Sequence, residues 1–477
     1  MNYEPVIGME VHVELNTLSK MFCACSTNFH AEPNTNVCPV CLGMPGTLPV
    51  INRAAVDAAI AVGLALNCTI SKWSKMDRKN YFYPDLAKNY QISQYDLPLT
   101  HGGFIEVEVD GQRKRIGITR AHLEEDTARN THTIGQGESG VDFNRSGVPL
   151  LEIVTEPDIR SAAEAYAYLT ALKQILLYLG VSDCNMEEGS LRAEANISVR
   201  PVGTEKFGTK TEVKNVASFS YTQKAIDYEI RRQVELIESG GKVSQETRGW
   251  DEKSGTTFPQ RSKESAHDYR YFPEPDLVPL AVDEVWVKRV ETDLPELPAA
   301  RFARFQSEYE LSHYDAGVLT ASKAMADYFE EAVKAGAAAK KAANWIMGDL
   351  QALLAEAKIE VEDCKVSSKD LAGLVGLIDD GTISGKMAKD LLVDMFETGR
   401  SARALVEERG LSQLSDSDEL KKIARDVMAA NPGPTGDYKA GKERALGFLV
   451  GQMMKATKGR ANPAMVNQIL LDELAKP

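Results

Sequence analysis

Between Val6 and Leu15 the apolar residues Ile7, Met9, Val11, Val13 and Leu15 alternate with Gly8, Glu10, His12 and Glu14. This period of two predicts a strand with one oily face and one face presenting carboxylate, imidazole and carboxylate. Two further runs carry acids in strand-like surroundings. Ile116 to Asp126 contains His122-Leu123-Glu124-Glu125-Asp126, and Pro149 to Val154 sets Glu152 alone among apolar residues. Helical patterning is expected over Ala54–Leu66 and over Ala162–Tyr178, the second entered through Glu156-Pro157-Asp158 and stopped at Gly180. Up to about Val290, short strands, isolated helices and frequent Gly and Pro predict an α+β unit.

Past the linker Asp293-Leu294-Pro295-Glu296-Leu297-Pro298 the chain becomes Ala-rich and helical through Arg409. A last stretch from Leu411 is broken at Asn431-Pro432-Gly433-Pro434. The expected domains are therefore 1–293, 294–410 and 411–477. No internal repeat and no low-complexity tract interrupts them.

Composition adds limits. With 43% hydrophobic and 26% charged residues in 477 positions, the chain is of ordinary globular type and long enough for several domains. No apolar stretch is long enough for a membrane span, and Met1-Asn2-Tyr3-Glu4-Pro5 begins neither a charged n-region nor an apolar h-region, so the expected location is the cytoplasm. The net charge of −14 is uneven. Residues 421–477 hold ten Lys/Arg against five Asp/Glu, leaving −19 on residues 1–420. Any nucleic-acid contact is thus expected from a local basic region, with Lys439, Lys442, Arg444, Lys455, Lys458 and Arg460 as its cations. A solvated helix face is the alternative.

Of seven cysteines, four fall in two knuckles, Cys23-Ala24-Cys25 and Cys38-Pro39-Val40-Cys41. Four thiolates so spaced suit a closed, structural zinc site, against the alternative of four buried free thiols. Cys68, Cys184 and Cys364 stand singly and are expected in cores. A buried acid is costly unless paired or bound to a cation, so Glu152 points to a hard-metal site with Glu10, His12 and Glu125. Taken singly, each acid also suits a solvated edge or a surface ion pair. Asp77 to Tyr90 combines cations with aromatics, which suits either a loop that holds phosphates and an amino-acid ester or an ordinary surface loop, and Met186 to Ser198 is similarly polar. Gly436 to Glu443 approaches a phosphate-binding loop, but Glu443 replaces the expected hydroxyl residue and no apolar strand precedes it. No Gly-Ser-rich amidase stretch or nucleophilic cysteine context is visible, so glutamine hydrolysis is not expected of this chain.

Together these segments resemble the B subunit family of bacterial-type aspartyl/glutamyl-tRNA amidotransferases, GatB. The shared stretches include Ile7–His12, the cysteine knuckles, Asp77–Tyr83, His122–Asp126, Pro149–Ile159, Met186–Pro201, Asp268–Leu277 and the tail from Asp437 to Pro463. The resemblance implies a mainly antiparallel cradle related to glutamine synthetase and guanidino kinases, a helical linker domain and a small helical tail contacting tRNA. It implies a ligase of protein biosynthesis, active with the amidase subunit GatA and with GatC, that uses ATP and Mg²⁺ on misacylated tRNA(Asn) or tRNA(Gln). Carried onto this sequence, the magnesium ligands are His12, Glu125 and Glu152 with Glu10 beside them. Lys79 and Lys88 fall near the phosphate and ammonia path, and Tyr81, Ser190 and Arg192 are the expected substrate contacts. Glu194 departs from the family's usual aspartate. A non-catalytic RNA-binding scaffold and a stand-alone ligase for a small acid are rival readings. The acids on strands speak against the first and the basic tail against the second.

Overall fold

The computed structural model describes residues 2–135, 138–262, 269–410, 417–457, 461 and 463–476. The chain folds as two compact units, residues 1–297 and 298–477.

The first unit is built on a nine-stranded sheet. From one edge to the other its strands are Thr256–Ser262, Glu246–Asp251, Thr211–Lys214, Leu191–Pro201, Tyr3–Glu14, Pro149–Thr155, Gln112–Glu125, Thr100–Val109 and Thr69–Ile70. Only the Thr211/Glu246 pair is parallel, so the sheet is mixed but mostly antiparallel. The expected alternation of the first strand is realised: Ile7, Met9, Val11 and Val13 are buried without exposure. With Ile153, Leu151, Ala193 and Ala195 of its two neighbours they join one core. Helices Arg53–Ala65, Ala162–Leu179 and Phe219–Glu238 cover that face, and the polar residues of the same strands are left on the other.

The second helix begins at Ala162, as expected, and runs to Leu179. Ser161 is its N-cap and accepts a hydrogen bond from the Glu164 amide. It ends at Gly180, whose left-handed φ of 67° lets the chain turn off the helix. The amphipathic helix Phe219–Glu238, capped by Ser218, is an element that the sequence reading passed over.

A three-stranded sheet, Phe272–Pro273, Asp77–Asn80 and Tyr90–Ser93, faces the polar side. It is pinned by Arg78, which donates to both oxygens of Glu274 at 2.7 and 2.8 Å. Glu274 is buried, so this bidentate pair fixes where neighbouring Lys79 and Tyr271 stand.

The second unit is helical and holds two cores. One gathers Phe305, Phe329, Ile346, Leu374, Leu391 and Leu405 from residues 298–410, with Cys364 packed against it. The other gathers Leu420, Leu449, Met453 and Leu470 of the tail. The Pro/Gly break separates helix Ser417–Ala430 from helix Pro432–Lys439, with Pro432 in the first turn where its missing N–H costs nothing. The rejected phosphate-binding pattern runs from the end of this helix into a turn.

Ile153, unexposed at the middle of the large sheet, tests the core. Ile153→Ala is expected to destabilise the first unit by about 2–5 kcal/mol. A urea titration followed by tryptophan fluorescence, to which Trp73, Trp250 and Trp286 of that unit contribute, should show it.

Candidate active site

Strand register places the polar residues in rows. His12 lies opposite Arg192 on one side and Glu152 on the other, and Glu152 lies opposite His122. One step along, Glu10 faces Glu194; farther out, Asn196 faces Glu212, which faces Thr247. All of these but Asn196, with Lys79, Tyr81, Arg120, Glu124, Asp126, Lys214, Tyr269 and Tyr271, line an open cavity of about 1100 Å³.

Two acidic trios form in it. His12, Glu124 and Glu152 bring ligand atoms within 4.8 Å of one another, and so do Glu10, Glu194 and Glu212. In the first, His12 Nε2 is 3.4 Å from Glu152 and 3.5 Å from Glu124. His122 Nε2 is 3.4 Å from the same Glu152 oxygen, and its Nδ1 is buried without a hydrogen-bond partner. In the second, Glu10 accepts from Asn196 at 2.7 Å, Lys214 stands 3.1 Å from Glu194, and Thr247 donates to Glu212 at 2.6 Å. Clustered acids with one imidazole are a hard-cation donor set.

The electrostatics of the first trio show the same demand for positive charge. Burial disfavours charge on His12, yet the Glu152 carboxylate bonded to it and nearby Glu124 and Glu194 push it up to about 9. His122, deeper and beside Arg120 and Lys79, is driven down to about 4 by burial. Burial raises Glu124, while Glu152 is held well below the usual range against its own burial by His122, His12 and Lys79. Lys79 is raised in turn, its burial outweighed by Glu124, Tyr271 and Glu152. Nearby, Asp126 pairs with Arg192 at 2.8 Å and stays ionised, whereas burial and Asp126 push Glu14 up to about 9.

The structure gathers Glu10, His12, Lys79, Tyr81, Glu152 and Arg192 around one cavity. Two expected residues lie elsewhere. Ser190 is buried in the loop after helix Ala162–Leu179, where its hydroxyl bonds Asp183 and Asn185, and it does not line the cavity. Glu125 is not among the trio, because its side chain leaves the opposite face of the strand, pairs with Lys88 and accepts from the Ile92 amide at 3.0 Å. It is Glu124 whose carboxylate lies with His12 and Glu152. The cause is a register shift: beside Val154 and Thr155 the partner strand skips from Arg120 to Ile118. The core-facing positions accordingly change from Ile116 and Ile118 to Ala121 and Leu123. His122, Asp126, Glu212, Lys214, Tyr269 and Tyr271 were also missed; the parity of Ala121 and Leu123 was the available signal for His122 and Glu124.

Lys88 and Glu125 line a smaller cavity of about 210 Å³ together with Lys20, Cys23 and Cys41. All four knuckle sulfurs lie within 4.8 Å of one another. Cys38 and Cys41 are 3.9 Å apart, close to the roughly 3.8 Å that two sulfurs bonded at about 2.3 Å to one tetrahedral ion would show. A hydrogen bond from Cys23 lowers Cys41 to about 4, with Lys20 adding to the effect. Burial pushes Cys25 up to about 11. Cys68 and Cys184 are buried in the sheet core, as expected.

Of the basic tail, Lys439, Lys442, Arg444 and Lys455 are exposed. Lys439 donates to the Lys476 carbonyl and Lys442 pairs with Asp437 at 2.9 Å. Lys458 and Arg460 lie outside the described residues.

Comparison with known families adds to this geometry. The GatB/GatE catalytic domain matches residues 5–288 and the GatB domain matches residues 327–474. The chain belongs to the GatB family. It is 58% identical over 476 residues to the B subunit of the aspartyl/glutamyl-tRNA(Asn/Gln) amidotransferase of Moorella thermoacetica, covering 99% of this chain and all of that one. The proteins of the same name from Thermoanaerobacter pseudethanolicus and Geobacter sulfurreducens are each 56% identical, over 100% and 99% of this chain and the whole of theirs. No helix of the described residues is long and apolar enough to cross a membrane.

The two adjacent glutamates of this GatB chain separate by experiment. Glu124→Gln is expected to weaken Mn²⁺ binding, read by electron paramagnetic resonance, by about tenfold or more, while Glu125→Gln leaves it within about twofold.

Proposed function

We propose that this chain is the subunit of a tRNA-dependent amidotransferase at which the side-chain carboxylate of misacylated Asp-tRNA(Asn), Glu-tRNA(Gln) or both is phosphorylated by ATP and then amidated. The ammonia comes from glutamine hydrolysed by the amidase subunit GatA, in a complex that also contains GatC. The observation that carries this reading is the large cavity: two acidic trios beside Lys79 and Arg192, with no serine or cysteine among the described residues that line it.

A carboxylate is a poor electrophile, and phosphoryl transfer turns one of its oxygens into a leaving group. That step asks for positioning and charge neutralisation rather than a protein nucleophile. His12, Glu124 and Glu152 would hold one Mg²⁺, and Glu10, Glu194 and Glu212 a second. Bound there, the ions supply neutralisation of phosphate charge. Lys79, reaching from the small sheet with Tyr269 5.0 Å away, offers a fixed cation to a phosphate. Arg192, held at its back by Asp126, presents its remaining donors to an acyl or phosphoryl oxygen. Glu10 is oriented by the Asn196 amide, and Tyr81 with Tyr269 and Tyr271 forms the aromatic wall for the aminoacyl end. Lys88 and Glu125, in the smaller cavity, are read as part of the ammonia path. We read the sheet as a relative of the glutamine synthetase and guanidino kinase cradle, residues 294–410 as a helical linker, and the four-cysteine site as zinc with a structural role.

The intact complex tests the reaction. Given ammonium chloride in place of glutamine, it is expected to release phosphate from ATP only when a mischarged tRNA is present, and to form Asn-tRNA or Gln-tRNA; phosphate release indifferent to tRNA would overturn the reading. Lys79→Met is expected to lower this turnover by about 10²–10³-fold with glutamine hydrolysis in the partner retained.

The other two expectations concern zinc and the tail. Elemental analysis of protein purified without chelators should find zinc, and Cys38→Ser should lower the melting temperature more than it lowers turnover of the surviving enzyme. Deleting residues 411–477 should weaken tRNA binding and flatten its dependence on salt, because each lost phosphate contact removes a released counterion.

A further inference from the structure

Lys20 has no part in the chemistry above, yet it is only 1% exposed and among the largest fully buried side chains of the chain. Its ammonium donates to the Phe143 carbonyl at 3.2 Å and lies 3.6 Å from Cys41 Sγ. Among the described residues no carboxylate forms an ion pair with it. A buried ammonium facing one carbonyl and one neutral thiol would be poorly compensated. The cost changes if the sulfur beside it is a thiolate within a charged group. Four thiolates around Zn²⁺ leave two net negative charges, and Cys41 is the one buried member of the four, the others being partly exposed. Water can screen the outer sulfurs, whereas only a protein cation can balance the inner one.

The surrounding backbone makes this contact a fixed one. Gly147, with a left-handed φ of 90°, is threaded between the knuckle and the sheet: a methyl there would lie 3.4 Å from Lys20 Cδ, 3.5 Å from Cys41 Cβ and 3.7 Å from Glu125 Oε2. Its carbonyl accepts from the Met21 amide at 2.7 Å and its amide donates to the Asp126 carbonyl at 2.9 Å. The Lys20 stem therefore lies across the same backbone that backs Glu125 and its partner Lys88.

We propose that Lys20 is the built-in counter-cation of the four-thiolate zinc site, a positioning residue that neutralises the buried side of the metal cluster and seats the knuckle on the wall carrying Glu125 and Lys88. The inference rests on the zinc reading. It accounts for an otherwise uncompensated buried charge, and it assigns zinc retention to a residue that is not a ligand.

The test follows zinc release from the purified complex to EDTA, with 4-(2-pyridylazo)resorcinol reporting total metal. Lys20→Met, which keeps the stem and removes the charge, is expected to lower apparent zinc affinity by about tenfold or more. Lys20→Gln, which keeps a donor for the Phe143 carbonyl, should do likewise. Circular dichroism checks that each variant is folded, and the second variant serves if the first is not. A charge effect must shrink when the cluster's own charge falls. In a Cys25→His background, which removes one negative charge and leaves both contacts of the Lys20 ammonium in place, the penalty of Lys20→Met is expected to be smaller. An equal penalty in both backgrounds would show that Lys20 acts by packing alone and overturn the assignment, as would unchanged zinc retention in both Lys20 variants. Absence of zinc from the wild-type complex would instead overturn the zinc reading beneath it.

Discussion

Acidic side chains on neighbouring strands of one sheet repel one another unless something positive lies among them. In this GatB chain His12, Glu152 and His122 occupy directly opposed positions on three adjacent strands, with Glu124 diagonal to them. Glu10, Glu194 and Glu212 repeat the arrangement beside them. Protein cations meet part of the demand: Lys79, Lys214 and Arg192 each lie against one or more of these carboxylates or their neighbours. The remaining negative charge suits a divalent cation and a phosphate-bearing ligand taken together. Much of the first unit can be understood as what is needed to hold that cluster in place despite its repulsion.

The holding is done by the other face of the same strands. Ile7, Met9, Val11, Val13, Leu151, Ile153 and Ala193 are sealed under three helices. Slipping any of these strands by one residue would turn an entire apolar set to the cavity and the acids to the core. The hydrophobic effect thus sets the register, and the register sets the geometry of the acids. The small sheet adds the opposing wall: the Arg78–Glu274 pair ties its strands together, and Gln91 and Ile92 fasten it to Glu125 of the large sheet. On the far side of the Gln112–Glu125 strand, Glu125 and Lys88 form a separate ion pair next to the cysteine knuckle. Adjacent residues of one strand therefore belong to two cavities, and the wall of the cysteine knuckle meets the second of them at Gly147.

Much of this was legible in the sequence, for a local reason. Alternation in Val6–Leu15 fixes which side chains share a face whatever the strand later pairs with, so Glu10 and His12 could be assigned together. Glu152 declared itself by standing in an apolar run. Two close cysteine pairs are recognisable because four ligands brought from nearby positions need little from the rest of the fold. The change to Ala-rich helical patterning after Pro298 is equally local.

What the sequence could not decide depended on pairing between distant strands. The choice between Glu124 and Glu125 turns on one skipped residue opposite Val154 and Thr155, a feature of the ladder between strands some thirty residues apart in sequence, which no reading of either strand alone contains. Ser190 looked polar and available within its motif, but its hydroxyl is spent on Asp183 and Asn185 in the loop it closes. Lys20 carried no signal at all, because a lone lysine reads as a solvated side chain until the Phe143 carbonyl and the Cys41 sulfur are seen on either side of it. Local periodicity and ligand spacing determined the elements, the zinc-like knuckle and half of the acidic cluster. Tertiary pairing alone decided which carboxylate faces which cavity, since a side chain's face is fixed by its strand's partners as much as by its own neighbours.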